Sequence, residues 1–258
     1  MILTTLSSSS KGNIHILENG ETTILLDCGV KFERIKQFIN DKKIDGVLIT
    51  HEHGDHIGGC KSLSENKSIG LYSTKETLGK VNVPNFIKNA IEPFKQFKIG
   101  TFKIITFEVS HDAIHPVNYL IYDEKTGAQL LYITDTGNVD GLNFRDIDYF
   151  LIECNFDEEW FNKEELTITE QIKKKRLLGN KGHLSINQTI EFLKRTINCN
   201  TKKIILCHIS NGFKEYVEFE NKVRDELNFK DVAALNPNYI GPVINNLKEE
   251  KIGVIPFD

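Results

Sequence analysis

Residues 47–59 read Val-Leu-Ile-Thr-His-Glu-His-Gly-Asp-His-Ile-Gly-Gly, and this stretch decides the fold. Its first four residues are apolar or β-branched, which is typical of a short buried strand ending at a glycine-containing loop. Because side chains repeat every second residue in extended backbone, His51 and His53 point the same way and can share one metal ion. Asp55 and His56 follow a glycine turn, so they point in another direction and can hold a second ion.

The density of ligand-type residues separates this motif from an ordinary loop. Three of the eight histidines in the chain fall within six positions, with an aspartate between them. Random placement gives such a cluster with odds on the order of 10⁻³ or less, so the risk of a false motif is small. The alternative interpretation is a solvated polar loop. The spacing favours a metal site.

Length and composition indicate one folded unit. The 258 residues are 40% hydrophobic and no Pro/Gly/Ser-rich linker divides them, so we expect a single α/β domain over residues 1–258. The sequence has no apolar stretch of eighteen residues and no basic-then-apolar leader, which predicts neither a membrane helix nor a signal peptide. Five cysteines without a Cys-x-x-Cys spacing favour reduced thiols and a cytoplasmic location.

The charge of the chain limits the kinds of partner that it can bind. A net charge of −4, from 32 basic and 36 acidic residues, gives no overall basic footprint for nucleic acid. The local run Lys173-Lys174-Lys175-Arg176 is either a patch for phosphates or, more often, the solvated face of a helix. This balance tilts the expected substrate toward a short nucleic acid or a small nucleotide. The oligomeric state stays open, a homodimer included.

Further candidate residues follow or end apolar strands, as the first motif does. The strands are expected over Phe102–Val109, Gln129–Ile133, Tyr149–Glu153 and Lys203–Cys207, and the candidates at their ends are His111, Asp135, Glu153 and His208. Open sheets place their sites at the carboxyl ends of strands, so one common site is the economical interpretation. A lone histidine is usually structural. An ion bound by His51 and His53, however, has one more coordination position for a protein ligand, and His111 can fill it.

Several polar residues keep a structural alternative. Asp27 can cap the next helix, expected over Lys31–Asn40. Asp112 is either a turn residue or a carboxylate that orients a ligand from behind. The stretch Ser7–Asn13 predicts a flexible hairpin loop between two strands. We expect His15 and His115 to be structural.

In this order the motifs resemble the metallo-β-lactamase superfamily, and within it the YycJ/WalJ-type branch. The segments that carry the resemblance, besides residues 47–59, are Asp27-Cys28-Gly29, His111-Asp112-Ala113, Thr134-Asp135-Thr136-Gly137, Glu153-Cys154-Asn155, Gly182-His183-Leu184-Ser185 and His208-Ile209-Ser210. The resemblance covers about residues 3–235 and implies a four-layer αββα sandwich with mixed sheets. It also offers a second interpretation of Ser7–Asn13, which resembles the Ser/Gly-rich first loop that lies near the metal site in intracellular members. It also implies a cytoplasmic phosphodiesterase or exonuclease that acts on DNA. Phe156 stands where the branch usually has histidine, which leaves the role of that position open.

The resemblance implies that seven side chains hold two divalent ions. His51, His53 and His111 would hold one ion, Asp55, His56 and His208 the other, and Asp135 would bridge them. Asp27 and Glu153, with Asp112, would support the ligands from behind. Imidazole and carboxylate without thiolate suit zinc, and manganese and iron stay open.

Two ions about 3.5–4 Å apart would lower the pKa of a shared water and clamp the oxygens of a phosphodiester. Asp55 then serves in catalysis as well as in binding, and His183 is the candidate proton donor to the leaving oxygen. Capping of the next helix, expected over Ile186–Arg195, is an equal alternative for His183. RNase Z-like cyclic-nucleotide phosphodiesterases share this ligand set. A thioester or lactone hydrolase, an iron redox protein and a non-catalytic metal-binding module are the other classes.

Overall fold

The computed structural model describes residues 1–162, 166–210 and 215–247. Within these ranges the strands are β1 (Ile2–Ser9), β2 (Gly12–Glu18), β3 (Thr23–Leu26), β4 (Gly46–Leu48), β5 (Leu71–Ser73), β6 (Lys88–Ala90), β7 (Gln96–Ile99), β8 (Phe102–Glu108), β9 (Val117–Asp123), β10 (Gln129–Ile133), β11 (Tyr149–Glu153), β12 (Lys203–Cys207), β13 (Val232–Ala234) and β14 (Val243–Asn246). The helices are α1 (Phe32–Ile39), α2 (Gly54–Ile57), α3 (Cys60–Asn66), α4 (Lys75–Lys80), α5 (Ile168–Leu177), α6 (Ile186–Thr196) and α7 (Tyr216–Leu227). Short 3₁₀ turns cover Asn85–Ile87 and Glu158–Phe161.

The strands form two seven-stranded mixed sheets. The first sheet has the order β14-β1-β2-β3-β4-β5-β6, and the second has the order β13-β12-β11-β10-β9-β8-β7. In the first sheet the pairs from β3 to β6 are parallel, and in the second the pairs from β10 to β13 are parallel. The other pairs in each sheet are antiparallel.

The apolar residues occupy three main layers, as a four-layer fold requires. One cluster fills the space between the two sheets and includes Leu26, Leu48, Tyr119 and Tyr132. A second cluster packs α1, α3 and α4 on the outer face of the first sheet, and a third packs α6 and α7 on the second. Both faces of each sheet are therefore covered, which explains why the strands read as continuous apolar runs. The predicted αββα sandwich is confirmed.

Several elements agree closely with the sequence predictions. The strands β10, β11 and β12 have the predicted bounds. The helix α6 begins as predicted and ends at Thr196, one residue beyond its predicted end. Between β11 and α6 the chain forms a 3₁₀ turn followed by α5, and residues 163–165 between these two lie outside the described residues. In the described part of the chain, the structure has no helix long and apolar enough to span a bilayer.

The serine run differs from its prediction. Ser7, Ser8 and Ser9 are not a flexible loop but the buried end of β1. The Ser8 hydroxyl oxygen accepts a hydrogen bond of 2.9 Å from the backbone N–H of His208, and the Ser7 hydroxyl donates one of 2.7 Å to the Gly12 carbonyl. Small polar side chains thus let β1 approach the loop that follows β12.

Two buried tyrosines connect the sheets beneath the histidine motif. The Tyr119 hydroxyl, from β9, donates to the Ile49 carbonyl at 2.5 Å. The Tyr132 hydroxyl, from β10, donates to Oδ2 of Asp27 at 2.7 Å. Both hydrogen bonds run from a strand of the second sheet to a loop of the first. They therefore fix the sheet edges at which β3, β4 and β10 end relative to each other.

The histidine loop also depends on close backbone approach at glycines. A Cβ on Gly29 would lie 1.7 Å from the Asp55 carbonyl oxygen, and a Cβ on Gly59 would lie 2.0 Å from the Val30 carbonyl oxygen. No real side chain tolerates such contacts, so any larger residue must push α2 away from the turn after β3.

We predict that Gly29→Ala lowers the free energy of unfolding by about 3 kcal/mol or more, because the new methyl group overlaps backbone that has no room to move. Urea unfolding followed by circular dichroism measures the change. Gly54→Ala, at the start of α2, is the matched control, since a Cβ there meets nothing within 4 Å. Equal stability of the two variants would contradict the packing argument.

Candidate metal centre

All seven predicted ligands lie in one cluster at the carboxyl ends of the strands. The ligand atoms lie within 4.8 Å of one another in each of two groups, His51, His53, His111 and Asp135 in the first and Asp55, His56, Asp135 and His208 in the second. Asp135 is common to both groups. This is the position that a bridging carboxylate would occupy.

The spacing around Asp135 fits ligands of a common ion. Two atoms bonded to one zinc ion at about 2 Å and a tetrahedral angle lie about 3.3 Å apart. Oδ2 of Asp135 lies 3.6 Å from Nε2 of His51 and 3.4 Å from Nε2 of His56. It lies 3.6 Å from Nε2 of His111, whose own distance to Nδ1 of His53 is 3.3 Å.

Two buried imidazole nitrogens lack a partner. Among the described residues, neither Nε2 of His51 nor Nε2 of His208 forms a hydrogen bond. Nε2 of His208 is 3.5 Å from Oδ2 of Asp55, again the separation of two ligands on one ion. An unpartnered buried polar atom is costly and calls for an ion or water. The donor set therefore fits a pair of divalent cations.

The outer nitrogens of two ligands are held by hydrogen bonds. Nδ1–H of His56 donates to Oδ2 of Asp27 at 2.9 Å. The Thr50 hydroxyl donates to Asp27 at 3.0 Å, so its oxygen is free to accept from Nδ1–H of His51 at 3.0 Å. Both partners hold Nδ1, so the Nε2 that faces Asp135 is the nitrogen left to bind a cation, as ligand imidazoles require.

These contacts decide between the two interpretations of Asp27. The residue at the start of α1 is Lys31, which makes no side-chain capping bond, so Asp27 does not cap this helix. Its carboxylate is fully buried and instead accepts from Thr50, His56 and Tyr132. Asp27 therefore lies behind the histidine loop, as the family resemblance implies.

His111 is oriented differently from the prediction. Its Nδ1–H donates to the Gly182 carbonyl at 3.0 Å, so backbone rather than a carboxylate orients the ring. Asp112 approaches the other nitrogen, with Oδ1 lying 3.2 Å from Nε2, and its side chain is 56% exposed. Asp112 thus stands at the mouth of the cluster, 3.9 Å from Nε2 of His53.

Glu153 joins His183 to the cluster. Its Oε1 accepts from Nδ1–H of His183 at 2.6 Å and from Nδ1–H of His208 at 2.9 Å. Its Oε2 accepts the backbone N–H groups of Thr136 and Leu184 at 3.1 and 3.2 Å. With every lone pair engaged, this buried carboxylate holds both rings in fixed positions.

The helix-capping alternative for His183 is wrong. Ser185 caps α6, and its side chain accepts from the backbone N–H of Gln188 in a reciprocal capping box. The His183 ring instead lies beside the cluster, with its centroid 5.2 Å from that of His111 and 5.3 Å from that of His208. Because Nδ1 is bonded to Glu153, Nε2 is the nitrogen left for other chemistry.

The electrostatics of the cluster follow from burial and from neighbouring charges. Burial, assisted by the charge of His56, holds the pKa of His51 well below its usual value, so this imidazole is neutral and ready to bind a cation. Burial alone would raise the pKa of Asp135, but the charges of His208 and His56 hold it well below its usual range. Burial opposes the charged form of His183, yet Glu153 raises the pKa of that ring above its ordinary value.

Three site residues have unusual backbone conformations. Asp27, Asp135 and His208 have φ values of 57°, 44° and 49°, in the left-handed region that non-glycine residues rarely adopt. Asp27 and His208 directly follow β3 and β12, and Asp135 lies two residues after β10, so at each position the chain turns sharply and directs the side chain into the cluster. Such strain costs of order 1 kcal/mol per residue and persists where the surrounding structure imposes it.

Asn13 and Tyr132 contact the site although the sequence motifs did not single them out. Nδ2 of Asn13 lies 3.3 Å from Oδ2 of Asp55 and 3.1 Å from Nε2 of His56. Tyr132 reaches Asp27 from the other sheet. Asn13 follows the serine run, so its polar type in a buried strand was a usable signal. Tyr132 lies within an apolar strand, where nothing distinguished it from core.

Three other residues lie outside the cluster. His15 is buried against Thr5, with Nδ1 2.8 Å from Oγ1, and burial together with His56 lowers its pKa to about 3. His115 lies on the surface between the carboxylates of Glu76 and Glu108. Phe156 is fully buried in a small apolar cluster with Phe161 and Leu177, so this position is part of the packing. The basic run lies on α5 and supplies no member of the ligand groups.

Comparison with known proteins identifies the family. The family model described as Beta-lactamase superfamily domain matches residues 22–209. The chain is 34% identical to Exodeoxyribonuclease WalJ of Streptococcus pneumoniae over 231 residues, which cover 81% of this chain and 82% of that protein. It is 28% identical to Exodeoxyribonuclease YycJ of Bacillus anthracis over 242 residues, 87% of this chain and 89% of that protein.

A solved structure agrees at the level of the fold. The metallo-beta-lactamase fold protein YhfI from Bacillus subtilis superposes with a TM-score of 0.73, covering 95% of this chain and 99% of that chain at 15% sequence identity. The family model and the WalJ alignment each span most of the chain. The protein therefore belongs to the beta-lactamase superfamily, in its WalJ/YycJ group.

Proposed function

We propose that the protein is a metal-dependent hydrolase that cleaves phosphodiester bonds of nucleic acid or nucleotides. The observation that carries the proposal is the convergence of the seven predicted ligands in a chain 34% identical to an exodeoxyribonuclease over most of its length. The two relatives reported above are both named exodeoxyribonucleases, which favours DNA as the substrate. The chain acts in this proposal as one domain in the cytoplasm.

The ligand groups assign the residues that would hold each ion. His51, His53 and His111 would bind the first, Asp55, His56 and His208 the second, and Asp135 both. Zinc is the ion that we propose, because the donors are imidazole and carboxylate without thiolate. When bound, such a pair of ions lowers the pKa of water and stabilises negative charge on a phosphodiester.

The residues behind the ligands keep the site ready for this chemistry. Asp27 and Thr50 hold two rings through their Nδ1 atoms, and Glu153 holds His208. Because these groups are buried and their hydrogen bonds to the rings are already formed, the ligand nitrogens need no rearrangement when substrate arrives. Such preorganisation is the main contribution that a protein makes to catalysis of this kind.

His183 is the group that we propose to protonate the leaving oxygen. Glu153 accepts from its Nδ1–H at 2.6 Å and favours the protonated ring, which presents Nε2–H as the acid. The ring lies beside His111 and His208, one from each ligand group. Asp55 serves as a ligand, and its carboxylate faces Nε2 of His208.

The function is tested with three model substrates. We expect turnover of bis-p-nitrophenyl phosphate in the presence of zinc or manganese, and little turnover of a thioester or a lactone. Absorbance assays follow all three, with the Asp135→Ala variant as the blank. Turnover of the thioester or the lactone, with no activity on any phosphodiester, would contradict the proposal.

Asp135→Ala should remove both metal binding and activity, because this carboxylate lies in both ligand groups. We expect the metal content to fall from about two ions per chain to fewer than one and turnover to fall by about 10³-fold or more. Elemental analysis and the phosphodiester assay measure these changes. Asp140→Ala is the control and should retain its ions, since this carboxylate is 85% exposed and belongs to neither ligand group. Retention of both ions by Asp135→Ala would show that the ligand assignment is wrong.

His183→Ala should keep its metal content and lose turnover by about 10²-fold or more on a dinucleotide, whose leaving alkoxide needs a proton. The loss should be much smaller with p-nitrophenyl esters, because p-nitrophenolate leaves without protonation. Steady-state kinetics on both substrates, with His115→Ala as the matched control, test this difference. An equal loss on both substrates would remove His183 from the role of acid.

A further inference from the structure

Two lysines of the basic run on α5, Lys174 and Lys175, line an open cavity. This cavity has a volume of about 660 Å³, and we name it the α5 groove; its walls include Phe161, Leu166, Lys174, Lys175, Leu178 and Gly179. The groove thus combines two amines with apolar side chains. Its chemistry differs from that of the ligand cluster, where imidazole and carboxylate dominate.

Backbone contacts connect the groove directly to the loop that carries His183. The backbone N–H of Gly182 donates to the Gly179 carbonyl at 2.7 Å, and that of His183 donates to the Leu177 carbonyl at 3.2 Å. A Cβ on Gly182 would lie 2.3 Å from the Leu177 carbonyl oxygen and 2.5 Å from that of Arg176. The last turn of α5 therefore packs against the His183 loop.

The groove also adjoins the loop that follows Asp135. A Cβ on Gly137 would lie 2.5 Å from the carbonyl oxygens of both Gly179 and Asn180. Gly137 is two residues beyond Asp135, the residue common to both ligand groups. The wall of the groove is thus in contact with two loops of the metal centre.

Three cations of the basic run have no anionic partner in the described part of the chain. Among the described residues, Lys174, Lys175 and Arg176 form no ion pair. The Lys174 amine lies over the ring of Phe161, 5.8 Å from its centroid. Leu178 is 46% exposed beside them. Unpaired amines next to exposed apolar surface are the features that bind a single nucleic-acid strand, with cations on the phosphates and apolar groups on the bases.

We infer that the α5 groove binds a single strand of nucleic acid whose scissile phosphodiester lies at the metal centre. This inference rests on the proposed function and names its substrate class as a strand rather than a mononucleotide. A small nucleotide held at the metal centre would leave Lys174 and Lys175 without an anion. Single strands expose the faces of their bases, which the apolar side of the groove can contact.

The test compares two double variants that each remove two positive charges. Lys174→Gln with Lys175→Gln alters the groove, and Lys125→Gln with Lys230→Gln is the matched control. Lys125 precedes β10 and Lys230 precedes β13, so both lie at the ends of their strands opposite the metal centre. Steady-state kinetics on a single-stranded oligonucleotide and on bis-p-nitrophenyl phosphate are measured for the wild-type protein and both variants.

We expect the groove variant to raise KM for the oligonucleotide by about tenfold with kcat nearly unchanged, and to leave bis-p-nitrophenyl phosphate turnover unchanged. If both amines contact phosphates, the slope of log(kcat/KM) against log[salt] becomes shallower by about 1.4, since each contact on a single strand contributes about 0.7. The control variant should match the wild-type protein on both substrates.

Two results would overturn the inference while the proposed function stands. One is an unchanged KM and salt slope for the oligonucleotide in the groove variant. The other is a wild-type protein that hydrolyses bis-p-nitrophenyl phosphate and small nucleotides but not oligonucleotides. A wild-type protein inactive on every phosphodiester would overturn the proposed function and this inference together.

Discussion

The burial of the Asp135 carboxylate is the constraint on which the rest of the structure depends. A carboxylate removed from water is tolerated only where cationic or hydrogen-bonding groups surround it. Here the groups come from both sheets, with His51 and His56 on one side and His111 and His208 on the other. The two sheets must therefore meet with their carboxyl ends aligned, and the cross-sheet bond from Tyr132 to Asp27 contributes to that alignment.

Around this centre three parts of the fold each contribute an orienting contact. The loop after β3 provides Asp27, the residue at the end of β11 is Glu153, and the loop before α6 provides the Gly182 carbonyl. All three accept a hydrogen bond from Nδ1–H of a histidine, which is His56, His208 and His111 in turn. They therefore set the orientation of the rings as well as the charge around them. The result is a polar network in which the inner nitrogens are left for a cation.

The candidate ligands were easier to predict from the sequence than the residues that hold those ligands in place. His51 to His56 were predictable because their spacing is local, and Asp135 and His208 because each follows an apolar strand whose bounds are clear. The role of His183 could not be decided, because its contact with Glu153 joins residues thirty positions apart. The serine run was wrong as a loop, since turn-forming residues are also small enough for a buried edge between sheets. The role of Tyr132 could not be predicted, because its hydroxyl reaches Asp27 only when the two sheets have packed together.

The left-handed backbone at Asp27, Asp135 and His208 has a consequence for the residues that can occupy these positions. Glycine would adopt these conformations without strain. At all three positions the residue that the backbone prefers is therefore one without a functional side chain. Glycine at any of the three would relieve the backbone strain but remove a group on which its buried neighbours depend, Asp27 for Tyr132 and Asp135 for His56 and His208 among them. The contacts around each position, and not the preference of the backbone, therefore hold aspartate or histidine there.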